Sequence, residues 1–340
     1  MTNIKKSGNN NPIDIVIAWV DGNDPKLAEK RNRYLTGGTA TLPGAHPTRF
    51  ASVNEIRYCV LSIFKFAPFV RNVYIVTDGQ DPNLYDDINT YYPERINSVR
   101  IVDHTEIFEG FEQYLPTFNS ISIGNMIWRI KGISNNFVYF NDDTFLIRPM
   151  KPEDWFNKHL PVIRGKWVAS PVLREAWNGI KIGINKYLLG KSDYQPRASF
   201  HLGQWNSASL LGFKWHYFSN SHTPHTVGRQ EVEHFFQNNT SVFEKNISYR
   251  FRSKSQFTFI ALSNHLQILT GNKNIANPDL AYLQPYNRAE DYIDKKIKFC
   301  EERQNIKYIC VQSLEMCSEK EQQKVFSWME SILQLKPVER

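Results

Sequence analysis

The sequence predicts an α/β protein built on a mostly parallel sheet covered on both faces. Three observations carry the prediction. Nearly continuous apolar runs of strand length alternate with stretches of helical spacing through the first half, as crossover-connected strands buried on both faces require. Each run closes on a polar or acidic residue. With 340 residues, the chain can bury a sizeable core as one large unit or two closely packed lobes.

The elements follow in order. "IDIVIAWV" (Ile13 to Val20) predicts the first strand. In "SVNEIRYCVLSIFKFAP", Ile56, Cys59, Val60, Ile63 and Phe64 recur at helical spacing. Ser52, with Glu55 three residues on, makes a capping-box pattern, and Pro68 marks the end. "NVYIVTDG" and "SVRIVDH" supply strands over Val73 to Thr77 and Val99 to Val102. Ile123, Ile127 and Ile130 predict a helix from Ser120 to Ile133, and "NFVYFNDD" a fourth strand. Further on, "GKWVASPVL" (Gly165 to Leu173) reads as a strand, and Val227 to Phe236 and Phe257 to Leu269 as helices. The tail from Glu290 to Leu335 reads as charged helix with Val325, Trp328, Met329 and Ile332 in one apolar stripe. There is no internal repeat or low-complexity linker. The expected organisation is a disordered segment at 1–12, a catalytic domain at 13–275 and a helical C-terminal region at 276–340 packed on it.

Composition excludes several classes. Net charge is +7, from 41 basic and 34 acidic residues, and the charges are dispersed. A nucleic-acid-binding arm is therefore not expected. A modest positive excess suits a phosphate-bearing substrate or a membrane surface. No stretch reaches the ~18 apolar residues of a spanning helix, and "MTNIKKSGNNNP" lacks the apolar core of a signal peptide. Cys59, Cys300, Cys310 and Cys317 show no CxxC pairing. They read as reduced thiols of a cytosolic protein, with a disulfide or zinc knuckle among the last three as the alternative. Aromatics make up 14% of the chain, which suits large core residues or platforms for stacking sugars.

Chemistry gathers at the predicted strand ends. Asp21 follows the first strand, Asp78 the second, Asp103 and His104 the third, and Asn141, Asp142 and Asp143 the fourth. In an open parallel sheet those ends lie along one edge, where ligands bind. A single "DG" after a strand is an ordinary turn; four polar ends in succession point to a site. Adjacent carboxylates repel unless something positive holds them, and Asp142 with Asp143 suits Mg²⁺ or Mn²⁺ beside a substrate phosphate. The plain alternative is a solvated turn, against which Tyr139, Phe140 and Phe145 flank the pair.

In the second half, "NSHTPHTVGRQEVEHFF" sets His222 three residues before His225. No HExxH pattern or tightly spaced Cys or acid accompanies them, so zinc is the weaker reading. A histidine near a phosphate can serve as base, acid or nucleophile. Arg250, Arg252 and Lys254 of "SYRFRSKSQFT" alternate and would share one face of a strand; arginine is also the side chain that clamps phosphate oxygens.

Taken in order, "IDIVIAWVDGNDP", "SVNEIRYCVLSIFKFAPFVRNVYIVTDGQDP", "LPTFNS", "FVYFNDDTFLIRPMKPEDWF", "HTPH" and "FRSKSQF" resemble the characteristic regions of the Stealth family. That family includes bacterial capsular polysaccharide phosphotransferases and the animal N-acetylglucosamine-1-phosphotransferase. The resemblance implies a Rossmann-like core related to nucleotide-sugar glycosyltransferases. It also implies a reaction, in which a hexose-1-phosphate or N-acetylhexosamine-1-phosphate moves from a UDP-sugar to a hydroxyl of a growing capsular polysaccharide. UMP is released and a phosphodiester forms.

Carried over by motif, Asp21 and Gly22 of "WVDG" are assigned to the nucleotide sugar or metal. Asn54, Glu55 and Arg57 match an "NELR"-type segment, and Asn141, Asp142 and Asp143 match "NDD". These, with Asp78, are the expected donor-binding residues, Asp142 and Asp143 holding Mg²⁺ or Mn²⁺. Asp143, His222 and Arg252 are the expected catalytic residues: metal ligand or base, handler of the acceptor proton or phosphoryl group, and phosphate clamp. Ile123, Gly124, Met126, Trp128 and Leu61 depart from the pattern of many relatives, which bears on the acceptor more than the core reaction. The expected setting is the cytoplasm, with peripheral association at the inner membrane. The rival readings are a metal-dependent glycosyltransferase using the same sheet edge, and a non-catalytic carbohydrate-binding protein that kept the fold.

Overall fold

A computed structural model describes residues 11–35, 53–172, 177 and 200–335. The segment expected to be disordered (except for residues 11 and 12), Ser52 of the capping-box pattern and Leu173 of the predicted strand lie outside the described residues.

Strands β1 (Ile13–Ala18), β2 (Val73–Thr77), β3 (Val99–Asp103) and β4 (Asn136–Asn141) pair in the order β4-β1-β2-β3, all parallel. Between them run helices α1 (Pro25–Asn32), α2 (Glu55–Phe66), α3 (Tyr85–Tyr91), α4 (His104–Ile107) and α5 (Ser120–Gly124). The apolar runs are continuous because each face of the sheet has its own core. Ile15, Ile17, Ile75, Val138 and Phe140 face α2 and its surroundings; Val16, Val76 and Phe137 face the opposite layer. Each such apolar side chain contributes roughly 1.5–3 kcal/mol on burial.

The next strands are β5 (Thr144–Leu146), a short hairpin of β6 (Phe156–Asn157) and β7 (Leu160–Pro161), and β8 (Ile163–Ala169). After α6 (Phe200–Leu210), β9 (His216–Asn220) returns antiparallel to β8, and β10 (His225–Gly228) joins the main sheet antiparallel to β4. Helices α7 (Arg229–Asn238), α8 (Thr240–Ile247) and α9 (Phe259–Leu269) pack on the second core, and β11 (Ile275–Ala276) pairs with β8. The C-terminal part comprises β12 (Leu280–Leu283), α10 (Tyr292–Glu302), β13 (Tyr308–Val311) and α11 (Glu319–Leu333). Its apolar stripe covers α2, where Tyr58 and Phe326 stack at 4.8 Å between ring centroids.

Several expectations are corrected. The helix predicted from Ser120 to Ile133 stops at Gly124: glycine is a poor helix former, and the Asn125 amide donates to the carbonyls of Ile121 at 2.8 Å and Phe257 at 3.4 Å instead of facing solvent. The helix predicted from Val227 begins at Arg229, because Val227 is taken up by β10. Arg250, Arg252 and Lys254 lie on an irregular link rather than a strand. The C-terminal part is helical as expected but also carries two strands, with β13 set between β12 (parallel) and β5 (antiparallel).

Candidate active site

The four parallel strands end on one edge, and each end is fixed differently. After β2, Asp78 is ion-paired with Lys30 at 2.7 Å. Gly79 takes φ +67°, a conformation that suits glycine, and its N–H donates to Asp103 at 2.8 Å. Asp103 also accepts from the N–H and hydroxyl of Thr105, capping α4. His104 beside it is buried, and burial pushes its pKa down to about 4 against the pull of Asp78 and Asp103. Among the described residues, its Nδ1 has no hydrogen-bond partner.

After β4, Asp142 and Asp143 form the two-residue turn into β5. Strand β13 holds that turn from the side, the Val311 N–H donating to the Asp143 carbonyl at 2.8 Å. Thr144 donates to one Asp143 carboxylate oxygen at 3.3 Å and the Cys310 thiol to the other at 3.7 Å. Burial, then the negative charges of Asp143 and Glu55, push Asp142 well above the usual carboxylate range. Asp143 is raised to about 6, chiefly by burial and further by Glu55. Glu315 is raised too, by burial and then by Glu55. Among the described residues no three acids, histidines or cysteines stand close enough to hold a metal by themselves. The chemistry nevertheless fits a hard cation: burial raises both Asp142 and Asp143, a positive ion beside the pair would favour their charged forms, and oxygen ligands from a substrate would complete the set.

The opposite wall comes from the second half. His222 lies on the link between β9 and β10, its ring 5.6 Å from that of Tyr282 between centroids. Burial and then His201 lower its pKa. His225, at the start of β10, is held down to about 3 by burial first and then by His222 and Arg164. The Arg252 guanidinium donates to the Ser120 hydroxyl. Its link is anchored by Gln256, whose buried amide accepts from Asn119 at 2.9 Å and from the Ser253 N–H at 2.9 Å, and donates to the Asn246 carbonyl at 2.8 Å. Asn119 in turn caps α5. Thus "LPTFNS" and "FRSKSQF", far apart in sequence, meet through the Asn119–Gln256 amides, the Arg252–Ser120 contact and the stacked rings of Phe118 and Phe251.

These walls enclose a cleft of about 750 Å³. Glu55, Asp78, Asn141, Asp142, Asp143, His222 and Arg252 all line it.

The chain's sequence matches "Stealth protein CR1, conserved region 1" over residues 11–39 and "Stealth protein CR2, conserved region 2" over residues 49–162. It is 32% identical over 302 residues to the receptor polysaccharide phosphotransferase WefC of Streptococcus oralis, covering 80% of this chain and 83% of that protein. The chain belongs to the Stealth family. It is an enzyme of the phosphotransferase class, as its relatives are. The capsular polysaccharide phosphotransferase WcwK of Streptococcus pneumoniae is 31% identical over 294 residues, with the same coverage of 80% and 83%. Among solved structures, the galactosyltransferase LgtC aligns over 96% of this chain and 98% of its own, at 11% identity and a TM-score of 0.44.

His222 and Arg252 lie outside both matched Stealth regions, yet share the cleft with residues inside them. Other expected residues are not brought to it. Asp21 accepts from the Asn23 N–H at 2.9 Å, and its backbone is clasped by Gln80. Gly22 and Asn54 lie in the turns before α1 and α2, Asn54 at φ +70°. Arg57 points to the C-terminal layer, paired with Asp87 at 2.7 Å and near Glu330 at 3.9 Å. Arg250 donates to the Pro116 carbonyl and lies over the Tyr34 ring. The sequence reading left out His225, Glu315 and Lys254 as cleft residues, and Gln256 as the anchor. Lys254 and Gln256 carried a signal, since both stand inside a quoted motif; Glu315 carried none.

Proposed function

We propose that this cleft transfers a hexose-1-phosphate or N-acetylhexosamine-1-phosphate from a UDP-sugar to a hydroxyl group of a capsular polysaccharide. The observation that carries the reading is the meeting of His222 and Arg252 with the Asp142–Asp143 turn in one cleft. The acceptor oxygen bonds to the sugar-bearing phosphorus, and the bond from that phosphorus to the bridging oxygen breaks. UMP leaves with the electron pair. The acceptor proton passes to His222, which its lowered pKa keeps neutral near pH 7 and able to accept it. Arg252 spreads the charge that grows on the phosphoryl oxygens, a contribution of the kind that preorganised donors make.

Asp142 and Asp143 would hold Mg²⁺ or Mn²⁺ together with the donor diphosphate, and such a cation neutralises charge on the leaving phosphate. Asp78, Glu55 and Asn141 border the donor on the sheet edge. No helix among the described residues is long and apolar enough to cross a membrane. Work at the cytoplasmic face of the inner membrane would rest on the net charge of +7, and flotation with anionic liposomes tests it.

The deciding experiment incubates the protein with UDP-sugars and short capsule oligosaccharides and follows the products by ³¹P NMR. UMP and a phosphodiester are expected. UDP with a new glycoside would overturn the reading in favour of a glycosyltransferase.

A further inference from the structure

We propose that Tyr282 is a positioning residue for His222, and that through it the C-terminal strands take part in the reaction. The inference rests on the reading of His222 as proton acceptor. His222 lies on the link between β9 and β10, so its backbone is outside the two strands that flank it. The Tyr282 ring packs against it, with centroids 5.6 Å apart and planes inclined by 38°. Tyr282 is itself fixed twice. Its backbone stands opposite Cys310 in the parallel pairing of β12 with β13, and its hydroxyl donates to the Gln312 side-chain oxygen. Gln312 is held in turn, its N–H donating to the Leu283 carbonyl at 2.9 Å.

His222 and Gln312 line the cleft, whereas Tyr282 is not among its lining residues. Tyr282 is therefore placed to act on the imidazole and not on substrate. The same end of β13 that supports Tyr282 also holds the Asp143 turn through Val311. One strand thus sets the spacing between the two sides of the reaction. Tyr282 and β13 lie outside both matched regions, 11–39 and 49–162, and outside the motifs quoted above.

The test is a double-mutant cycle on the full chain, with turnover of UDP-sugar and oligosaccharide measured for Y282F, Y282A, H222A and H222A/Y282A. Misplacing a reacting group by an ångström costs about 100-fold. Y282A should lose about 10- to 100-fold in kcat with donor KM within about twofold, and Y282F, which keeps the ring, should retain most of the rate. In the H222A background Y282A should cost nothing more, because effects that act through one group are not additive. An activity-independent readout is the ¹⁵N shift of the His222 ring, which should move in Y282A and stay in Y282F. If Y282A does not fold, Y282L takes its place. Loss in Y282A that repeats in full on top of H222A, or no loss at all while H222A is inactive, would overturn the positioning role alone. H222A with wild-type turnover would overturn the reading of His222 and this role with it.

Discussion

The two walls of the cleft are built on different principles. On the first, Asp78, Asn141, Asp142 and Asp143 stand where parallel strands stop, so the sheet itself delivers them to one edge. On the second, His222 and Arg252 stand on links between elements, and each is placed by dedicated side-chain contacts: Tyr282 beside one, Ser120 and the Gln256 anchor beside the other. A ladder positions many residues with one set of backbone hydrogen bonds. A link positions one residue at a time, and only if every buried polar partner is satisfied.

The comparison can be broken by substitutions on each wall. The largest effect is expected at Asp143→Asn, which removes a charge from the centre of the first wall. Turnover should fall by about 10³ or more, while the melting temperature at pH 8 holds or rises, since a buried carboxylate repelled by its neighbours is relieved. EDTA should abolish wild-type activity and Mg²⁺ restore it; activity surviving chelation would remove the cation from the scheme. Next comes Arg252→Ala, with an expected loss of about 10²–10³ in rate and little change in melting temperature. Near-wild-type turnover would take Arg252 out of the site.

Gln256→Ala sharpens the contrast, because its amide is taken up by hydrogen bonds to Asn119, Ser253 and Asn246. Its loss removes a partner from one N–H of the Asn119 amide, from the half-buried Ser253 N–H and from the buried Asn246 carbonyl, and an unsatisfied buried group costs about 1–3 kcal/mol. Stability in urea should drop by several kcal/mol, and activity should fall together with it. A stable, inactive Q256A would mean that the amide acts on substrate instead.

The smallest expected effect is on the first wall and depends on pH. His104 titrates at about 4 when folded and near the ordinary 6.5 when unfolded. The unfolded chain therefore binds more protons in that window, so the contribution of His104 to stability is full above pH 6.5 and declines as pH falls toward 4. His104→Gln should gain about 1 kcal/mol on the wild type between pH 7 and pH 5.5 in chemical unfolding. A difference that stays constant with pH would show that His104 is not held neutral by burial.

The same contrast governs what could be read from the residues. Strands β1 to β4 and the acids behind them were legible because a two-faced strand leaves an unbroken apolar run and the end of that run is visible. The antiparallel β10 was not, because "HTVG" is too short to show a period and runs directly into an amphipathic helix. Arg57 and Glu55, two residues apart, were read together from one motif, yet the side chains part: Glu55 turns to the cleft and Arg57 to Asp87. Motif membership does not record which way a helical residue points. Glu315 and Tyr282 reach the cleft region only through the pairing of β13 with β5, a long-range contact with no local sequence mark.

That pairing also orders events during synthesis. When the ribosome has completed β5, the acids of the first wall have all been made, but β5 still lacks the strand that pins it. Val311 is added 168 residues after Asp143, and such distant contacts form late because the intervening loop must first be closed. The parallel sheet can settle early while the Asp142–Asp143 turn stays unpinned until β13 has been made. The edge of the sheet is made before the strand that steadies it.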